Sequence, residues 1–600
     1  MRTSTSPSLV TLDPTMSIPG LVAARMERAP DAPFIERKSG LGGSWTPVSM
    51  RTFVSEVDAA ARGLVAKGIE PGDRVSIMSR TRYEWTVLDF ACWAAGAVPV
   101  PVYETSSAAQ VAWILGDSGV RLALVETAAH AAATESARGN LPELGEILVI
   151  DEGALEKLTA AGRSVPQEEI DRRSALAGME DLATIIYTSG TTGSPKGAEL
   201  THGNFVSLTL EGTAGLPEVV AQSYSRTLLF MPLAHVFARF IQVLCVPSGA
   251  VLGHTPDTRN LLADLGTFRP SFILSVPRVF EKVYNSAEQK ASSSPVTLKI
   301  FRWAAATAIA YSEALDSPSG PGLALKTQHQ IADRLVLHKL REALGGAAEY
   351  AVSGGAPLGA RLSHFFRGIG LRVLEGYGLT ETTAPSAVNM PKHTIIGTVG
   401  PPFPGASLRI ADDGEIEISG AHVFRGYRNN PEATAEALQD GWFRTGDLGS
   451  LDEHGYLTIT GRKKEIIVTA GGKNVAPALL EDRLRGHPLV SQVVVVGDGR
   501  PFIAALVTLD EEMLPGWLAS HDLPAMDVPT AARSHAVLAA LERAAARASS
   551  VVSRPESIRK VHVLDTDFTE ANGYLTPSLK VKRAAVLNDF ATEVETLYAG

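Results

Sequence analysis

The stretch Tyr187–Gly197, YTSGTTGSPKG, holds three glycines, three threonines, two serines, a proline and a lysine. Glycines let backbone N–H groups close on oxygen atoms and Lys196 adds a point charge, so the chemistry on offer is anion binding, with phosphate foremost. A Walker-type loop needs Gly-Lys-Ser/Thr feeding directly into a helix. Here Ser194-Pro195 precede Lys196 and Gly197 follows it; the short piece AEL then leads to Thr201, a candidate cap for the helix HGNFVSLTLEG. The loop is expected to join strand to strand, which makes kinase-like γ-phosphoryl transfer the less natural reading. A solvated turn of the same composition is the bland alternative.

Further polar clusters follow in order: SGGAPL from Ser353, YGLTETT from Tyr377, WFRTGDLG around Asp447, ITGRKKEI around Arg462 and LTPSLKVKR around Lys580. No Ser-His-Asp or Cys-His nucleophile is evident, so any nucleophile must arrive with a substrate. Together with the opening loop, these motifs resemble those of the AMP-forming acyl and aryl acid synthetases, over nearly the whole chain from about Pro30 to Arg583. The resemblance implies two half-reactions. A carboxylate attacks the α-phosphorus of ATP to give acyl-adenylate and pyrophosphate, and the coenzyme A thiol then displaces AMP. The protein's task would be to hold reactants in line and neutralise charge growing on phosphate oxygens.

Carried onto this sequence, the resemblance assigns Thr188, Ser189, Gly190, Thr191, Thr192, Gly193 and Lys196 to the β- and γ-phosphates. Tyr377 would line the adenine, Thr380 would reach the α-phosphate and Glu381 would hold Mg²⁺. Ser353, Gly354, Gly355 and Ala356 would lie against adenine and the acyl group. Asp447 would accept from the ribose hydroxyls, with Arg462 beside it. Lys580 would bridge substrate carboxylate and α-phosphate, a task for a point charge on a flexible stem. The family's common glycine before this lysine is Leu579 here, and Lys582 is the competing candidate; on a strand the two would face the same side. Lys464 matches the family's hinge. After rotation of the small domain about it, AGGKNVAP would help line the thiol's tunnel, with Gly471 and Gly472 allowing close backbone approach and Lys473 either meeting a coenzyme A phosphate or left solvated. His235 and Phe237, in MPLAHVFARF, stand where the family places acyl- and adenine-side residues. SVPRVFEKVYN and the helical insertion after it resemble the long-chain fatty acyl-CoA synthetase branch.

These residues need elements to position them. Between Asp31 and about Gly253 amphipathic stretches alternate with β-branched runs such as DRVSIMS and VRLALVE, a pattern of strands joined by crossover helices. IIYTSG, LLFMPLAH, FILSVPR, YAVSGGAPL and VLEGYGLTE all end in small or polar clusters, and ligands gather beyond strand C-termini in α/β sheets. One shared pocket is expected. From Asn285 to about Leu344 the pattern is a helical hairpin broken at DSPSGPG, read as scaffold or as a membrane-surface or substrate-guiding element. Ile395 to Thr460 is β-rich. The expected fold is α/β: a large domain over 1–461, of stacked sheets plus a small β-rich subdomain, and a smaller mobile α+β domain over 462–600, as the acetyl-CoA synthetase-like resemblance implies.

The chain has 600 residues, with 55 Lys and Arg against 65 Asp and Glu. A net charge of −10 argues against a general nucleic-acid binder. Two cysteines, Cys92 and Cys245, leave no disulfide framework and no metal spacing, which fits a reducing cytoplasm. The amino terminus, broken by Pro7, Pro14 and Pro19, is expected to start loosely. Thr86–Tyr103 is greasy but interrupted by Asp89, Pro99 and Pro101, so no transmembrane segment is expected, with peripheral membrane contact left open. The expected partners are a fatty acid, ATP and coenzyme A, with Mg²⁺. The alternative is a fatty acyl-AMP ligase that passes its acyl group to a carrier protein; a catalytically silent nucleotide-binding protein is the rival from another class.

Overall fold

A computed structural model describes residues 2–38, 43–188, 195–576 and 579–599. Its larger part is built from layered sheets. One is fully parallel, with Val98–Val102, Arg74–Met78, Val120–Val125 and Glu146–Val149 side by side. Pro99 and Pro101 lie in its edge strand, where a missing N–H costs no ladder bond. A second sheet orders Arg226–Leu229, Val251–His254, Pro33–Lys38 and Trp45–Ser49. The third carries Phe272–Ser275, Tyr350–Ser353 and Arg372–Leu379 in parallel, with Ala384–Val388 antiparallel beside them. Crossover helices cover these layers around a main core of buried aromatic and aliphatic side chains, with a second cluster on the other face of the parallel sheet.

Leu182–Thr188 and Lys196–Thr201 are antiparallel, with Thr188 opposite Lys196, so the glycine-rich loop does connect strand to strand. Thr201 caps the His202–Gly215 helix through a capping box with Asn204. The helical insertion is present as Pro295–Leu315 and Leu323–Ala332, separated at the Pro/Gly turn.

The β-rich region forms a six-stranded sheet in which Glu415–Ser419, Trp442–Leu451 and Leu457–Arg462 are neighbours. The amino terminus departs from expectation. Arg2–Thr5 is an antiparallel edge strand against Ser407–Ile410, so its backbone groups are paired rather than loose.

From Ile467 onward a separate arrangement begins. Val490–Val496, Ile503–Leu509 and Ile558–Val563 make a three-stranded sheet. Pro477–Arg485 and His535–Ala548 bury one face of it, while Arg583–Asp589 and Ala591–Tyr598 bury the other. The hydrophobic clusters of this α+β unit contain no residue before Ile467.

Candidate active site

The five polar strand endings converge on one cavity of about 2470 Å³, which the small domain's residues also line. Thr188, Lys196, His235, Phe237, Ser353, Gly354, Gly355, Ala356, Tyr377, Thr380, Glu381, Asp447, Arg462, Lys464 and Lys580 all face it. Ser189, Gly190, Thr191, Thr192 and Gly193 lie outside the described residues.

Asp447 sits at the centre of a short polar chain. Tyr377 donates its hydroxyl to Asp447 Oδ2 at 2.6 Å, and Arg462 Nε donates to Asp447 Oδ1 at 2.8 Å. Asp447 and Arg462 are directly paired across adjacent strands, which brings two motifs separated by fifteen positions into contact. Each carboxylate oxygen keeps a second lone pair for a ligand hydroxyl. Burial, reinforced by the Asp447 charge, pushes the Tyr377 phenol well above its usual range, so it is a fixed hydrogen-bond donor.

Glu381 lies in a single tight turn, Thr380–Thr382, after the Arg372–Leu379 strand. The two residues after the turn, Thr383 and Ala384, have φ of 56° and 107°, conformations that L side chains rarely adopt. Thr383 Oγ1 donates to His422 O at 2.9 Å, and Thr382 Oγ1 accepts from Leu379 N at 3.0 Å. Those bonds hold a strained segment in place beside the site.

Tyr427 donates to Glu381 Oε1 at 2.8 Å, and Lys196 Nζ lies 5.1 Å from the centre of the Tyr427 ring. One tyrosine therefore orients the carboxylate and the cation together, the latter through its ring face. Glu381 fits Mg²⁺, a hard cation that is usually held by one or two carboxylates together with substrate phosphates and waters.

His235 caps the Val236–Ser248 helix: its Nδ1 accepts from Phe237 N at 3.2 Å, which leaves the proton on Nε2. Burial, and secondarily the Lys580 charge, pushes His235 down to about 3, so it is neutral at physiological pH. Phe237 lies along the glycine pair. A Cβ on Gly354 would meet its ring at 3.4 Å, and Gly355, at φ 84°, takes a conformation that suits glycine. Ser353 Oγ is buried without a hydrogen-bond partner among the described residues.

Lys580 reaches in from the small domain, its Cε 3.9 Å from where a Gly355 Cβ would stand. It is open to the cavity and walled by protein. That enclosure, with the Arg462 charge next in effect, lowers its pKa, while Asp447 and Glu381 act in the opposite sense. Leu575 and Val581 bridge antiparallel on either side of Lys580, so the chain doubles back here instead of running on as one strand. Thr576 N donates to Lys580 O at 2.8 Å, and Lys580 N donates to Thr576 Oγ1 at 3.0 Å. Leu579 occupies the left-handed region at φ 61°, which accounts physically for the glycine common at this position. Lys582 also borders the cavity, with its backbone N–H spent on Tyr574 O.

Gly471, Gly472 and Lys473 do not border the cavity in this arrangement. They form a turn closed by Thr469 N donating to Lys473 O, and Lys473 pairs with Glu556 at 3.2 Å.

Two contributors escaped the sequence reading. Tyr427 lies in RGYRNNPEAT, just before the Pro431–Ala437 helix that Asn430 caps, and nothing in that stretch points to Glu381. Glu375, buried beside Ser353, accepts from Ser363 Oγ at 2.8 Å and stays protonated above the usual carboxylate range because of burial.

The fold, and a cavity in which Lys196, the Asp447–Arg462 pair and, from a separate domain, Lys580 meet, are those of an adenylate-forming enzyme. The chain belongs to the AMP-binding enzyme family: its model matches residues 22–428, and the AMP-binding enzyme C-terminal domain matches 464–600. Long-chain-fatty-acid–CoA ligase FadD15 of Mycobacterium bovis is 49% identical over 602 residues, covering 100% of both chains. Human long-chain-fatty-acid–CoA ligase 1 is 31% identical, covering 95% of this chain and 84% of its own. In fold, the adenylation domain of a carboxylate reductase from Mycobacterium chelonae superposes with a TM-score of 0.75 at 22% identity, covering 98% of this chain and 92% of its own. Among the described residues no helix is long and apolar enough to cross a membrane.

Proposed function

We propose that this protein is an AMP-forming ligase that joins a long-chain fatty acid to coenzyme A through an acyl-adenylate, releasing AMP and pyrophosphate. The observation that carries this reading is the continuity of the cavity. The cavity that Lys196, Glu381, Asp447 and Lys580 border is also lined by Leu216, Val219, Val236, Phe240, Ile241 and Leu244, all apolar. A ligand with an ionised head and an alkyl tail is what such a site solvates. The close relatives named for this activity support the same substrate class.

In the first half-reaction a carboxylate oxygen attacks the α-phosphorus, and the bond from that phosphorus to pyrophosphate breaks. Lys580 bridges the incoming carboxylate and the α-phosphate, and Lys196 meets the departing phosphates. Thr380 donates to the α-phosphate, and Asp447 holds the ribose. These groups are aimed before reaction, in a cavity of low polarity where fixed charge counts most. Magnesium, held by Glu381 as Tyr427 orients it, would neutralise phosphate charge. In the second half-reaction the thiol sulfur attacks the acyl carbon, the bond to AMP breaks and the thiol proton passes to solvent.

Lys580 blocks the space that the thiol must cross. A hinge at Lys464, with a domain boundary near residues 461–462, would withdraw it and bring Gly471, Gly472 and Lys473 to the thiol's path. Both cysteines are buried and unpaired, in keeping with a cytoplasmic setting.

Acid-dependent exchange of labelled pyrophosphate into ATP tests the first step, and product analysis with coenzyme A present or absent tests the second. Palmitate should drive exchange, and palmitoyl-CoA should form with AMP as coproduct. ADP as coproduct would overturn the scheme, and acyl-adenylate that accumulates despite coenzyme A would favour a carrier-protein acceptor.

A further inference from the structure

From His235 the cavity follows one face of the Val236–Ser248 helix. Phe237, Phe240, Ile241 and Leu244 recur at i, i+3, i+4 and i+7, and all four line it. Nine residues at a rise of about 1.5 Å put Leu244 about 13 Å from His235 along the helix axis. At that depth the helix packs against His202–Gly215, and Leu244 Cδ1 is the atom nearest to where a Cβ on Gly212 would stand.

Gly212 is a poor choice for a helix interior on propensity alone, and its φ is not a positive one that would call for glycine. Close backbone approach does not explain it either. At Gly63 and Gly368 an added Cβ would strike the backbone of another helix, at 2.3 Å from Leu158 O and 2.1 Å from Ala308 O. At Gly212 the nearest atoms are side-chain ends: Leu244 Cδ1 at 3.3 Å, Phe403 Cζ at 3.4 Å and Phe240 Cζ at 3.8 Å. Gly212 and all three of these neighbours border the cavity. A side chain at this position would press on Leu244, Phe403 and Phe240 and push them into the channel that they line, which glycine avoids.

We propose that Gly212 sets how far the acyl tail can run, so that a long aliphatic acid passes Leu244 toward Val219 and Val220 while shorter acids stop before it. The inference rests on the acyl-adenylation reading and adds a length determinant to it. A branched side chain at 212 would fill the channel about 13 Å from His235. It would spare short tails and exclude the end of long ones. Each methylene withheld from apolar surroundings lowers binding about fourfold, so displacing three or four of them lowers it by about 10².

The experiment measures kcat/KM for acid-dependent ATP–pyrophosphate exchange with octanoate and with palmitate, using the full-length wild type, Gly212→Leu, Gly212→Ala and Leu244→Ala. Gly212→Leu should lose about 10² with palmitate and stay within about threefold with octanoate. Gly212→Ala, the milder change, should show a smaller loss of the same selectivity, and Leu244→Ala should raise the palmitate-to-octanoate ratio. Equal losses with both acids, or palmitate activity within threefold of wild type in a Gly212→Leu protein that still binds ATP, would overturn the proposal. A wild type that exchanges with neither acid would overturn the adenylation reading itself, and the length determinant with it.

Discussion

At the scale of single residues the proposed chemistry turns on Lys580. Its role requires the charged form, whereas enclosure and the neighbouring Arg462 favour the neutral one. The pKa is therefore lowered, and activity should fall as pH rises through a value below the ordinary lysine range of about 10.4. kcat/KM for pyrophosphate exchange, followed from pH 7 upward, should bend down on this alkaline limb. Lys580→Arg should keep part of the activity and lose the limb, because a guanidinium stays charged throughout. Lys580→Ala should cost about 10²–10³ in exchange, by analogy with loss of an oxyanion-stabilising donor. Conversion of preformed acyl-adenylate to thioester should change little. An unaltered limb in Lys580→Arg would assign the titration to another group. Leu579 belongs to the same argument. It holds a left-handed conformation at a cost of roughly 1–2 kcal/mol, so the turn that presents Lys580 stores strain that a glycine would not.

At the scale of elements, the Pro277–Ala291 helix is the large domain's main polar hold on the small one. Arg278 Nη2 reaches Asp510 Oδ2 and Ser491 Oγ, each at 3.2 Å, while Lys282 pairs with Glu512 and Gln289 Nε2 donates to Glu512 O. The Lys282 pair is largely exposed and contributes little. Arg278 is half-buried with two partners, so its removal should matter more, at about 1 kcal/mol after allowance for solvent. Arg278→Ala should therefore slow pyrophosphate exchange about fivefold by releasing the arrangement that places Lys580, and leave thioester formation from preformed adenylate within about twofold. Equal loss in both half-reactions would remove the helix from any such role. How far these elements could be read from sequence depended on how local their causes were. The strand-to-strand loop, the Thr201 cap and the turn between the insertion's helices are set by neighbouring residues and were legible. Arg2–Thr5 was not, because Thr5 meets its partner Ser407 across 402 residues. Tyr427 and Gly212 were missed for the same reason: their meaning lies in Glu381 and Leu244, which only the folded chain brings close.

At the scale of the whole molecule, the two domains keep their hydrophobic cores to themselves. The clusters around Val493 and Leu506 draw on residues from Ile467 on, and the large core's on residues up to Phe443. Polar contacts join them, those of Arg278 and of Thr105 with Glu570, beside a cavity that both domains line. Apolar burial is the main source of cooperative stability, so two separate cores held together by a seam of such contacts should unfold separately. Differential scanning calorimetry of the full chain should accordingly give a calorimetric enthalpy larger than the van't Hoff enthalpy, with two resolvable components. Raised salt should weaken the seam's ion pairs far more than either core. A single transition with matching enthalpies would mean that the seam couples the domains as strongly as a shared core, and the small domain could not then turn about Lys464 without partial unfolding. The proposed alternation of half-reactions depends on the opposite. A domain that withdraws Lys580 in every cycle, as that proposal requires, has to leave its partner at a cost of a few kcal/mol, and polar contacts, which water can replace, allow that where buried leucines would not.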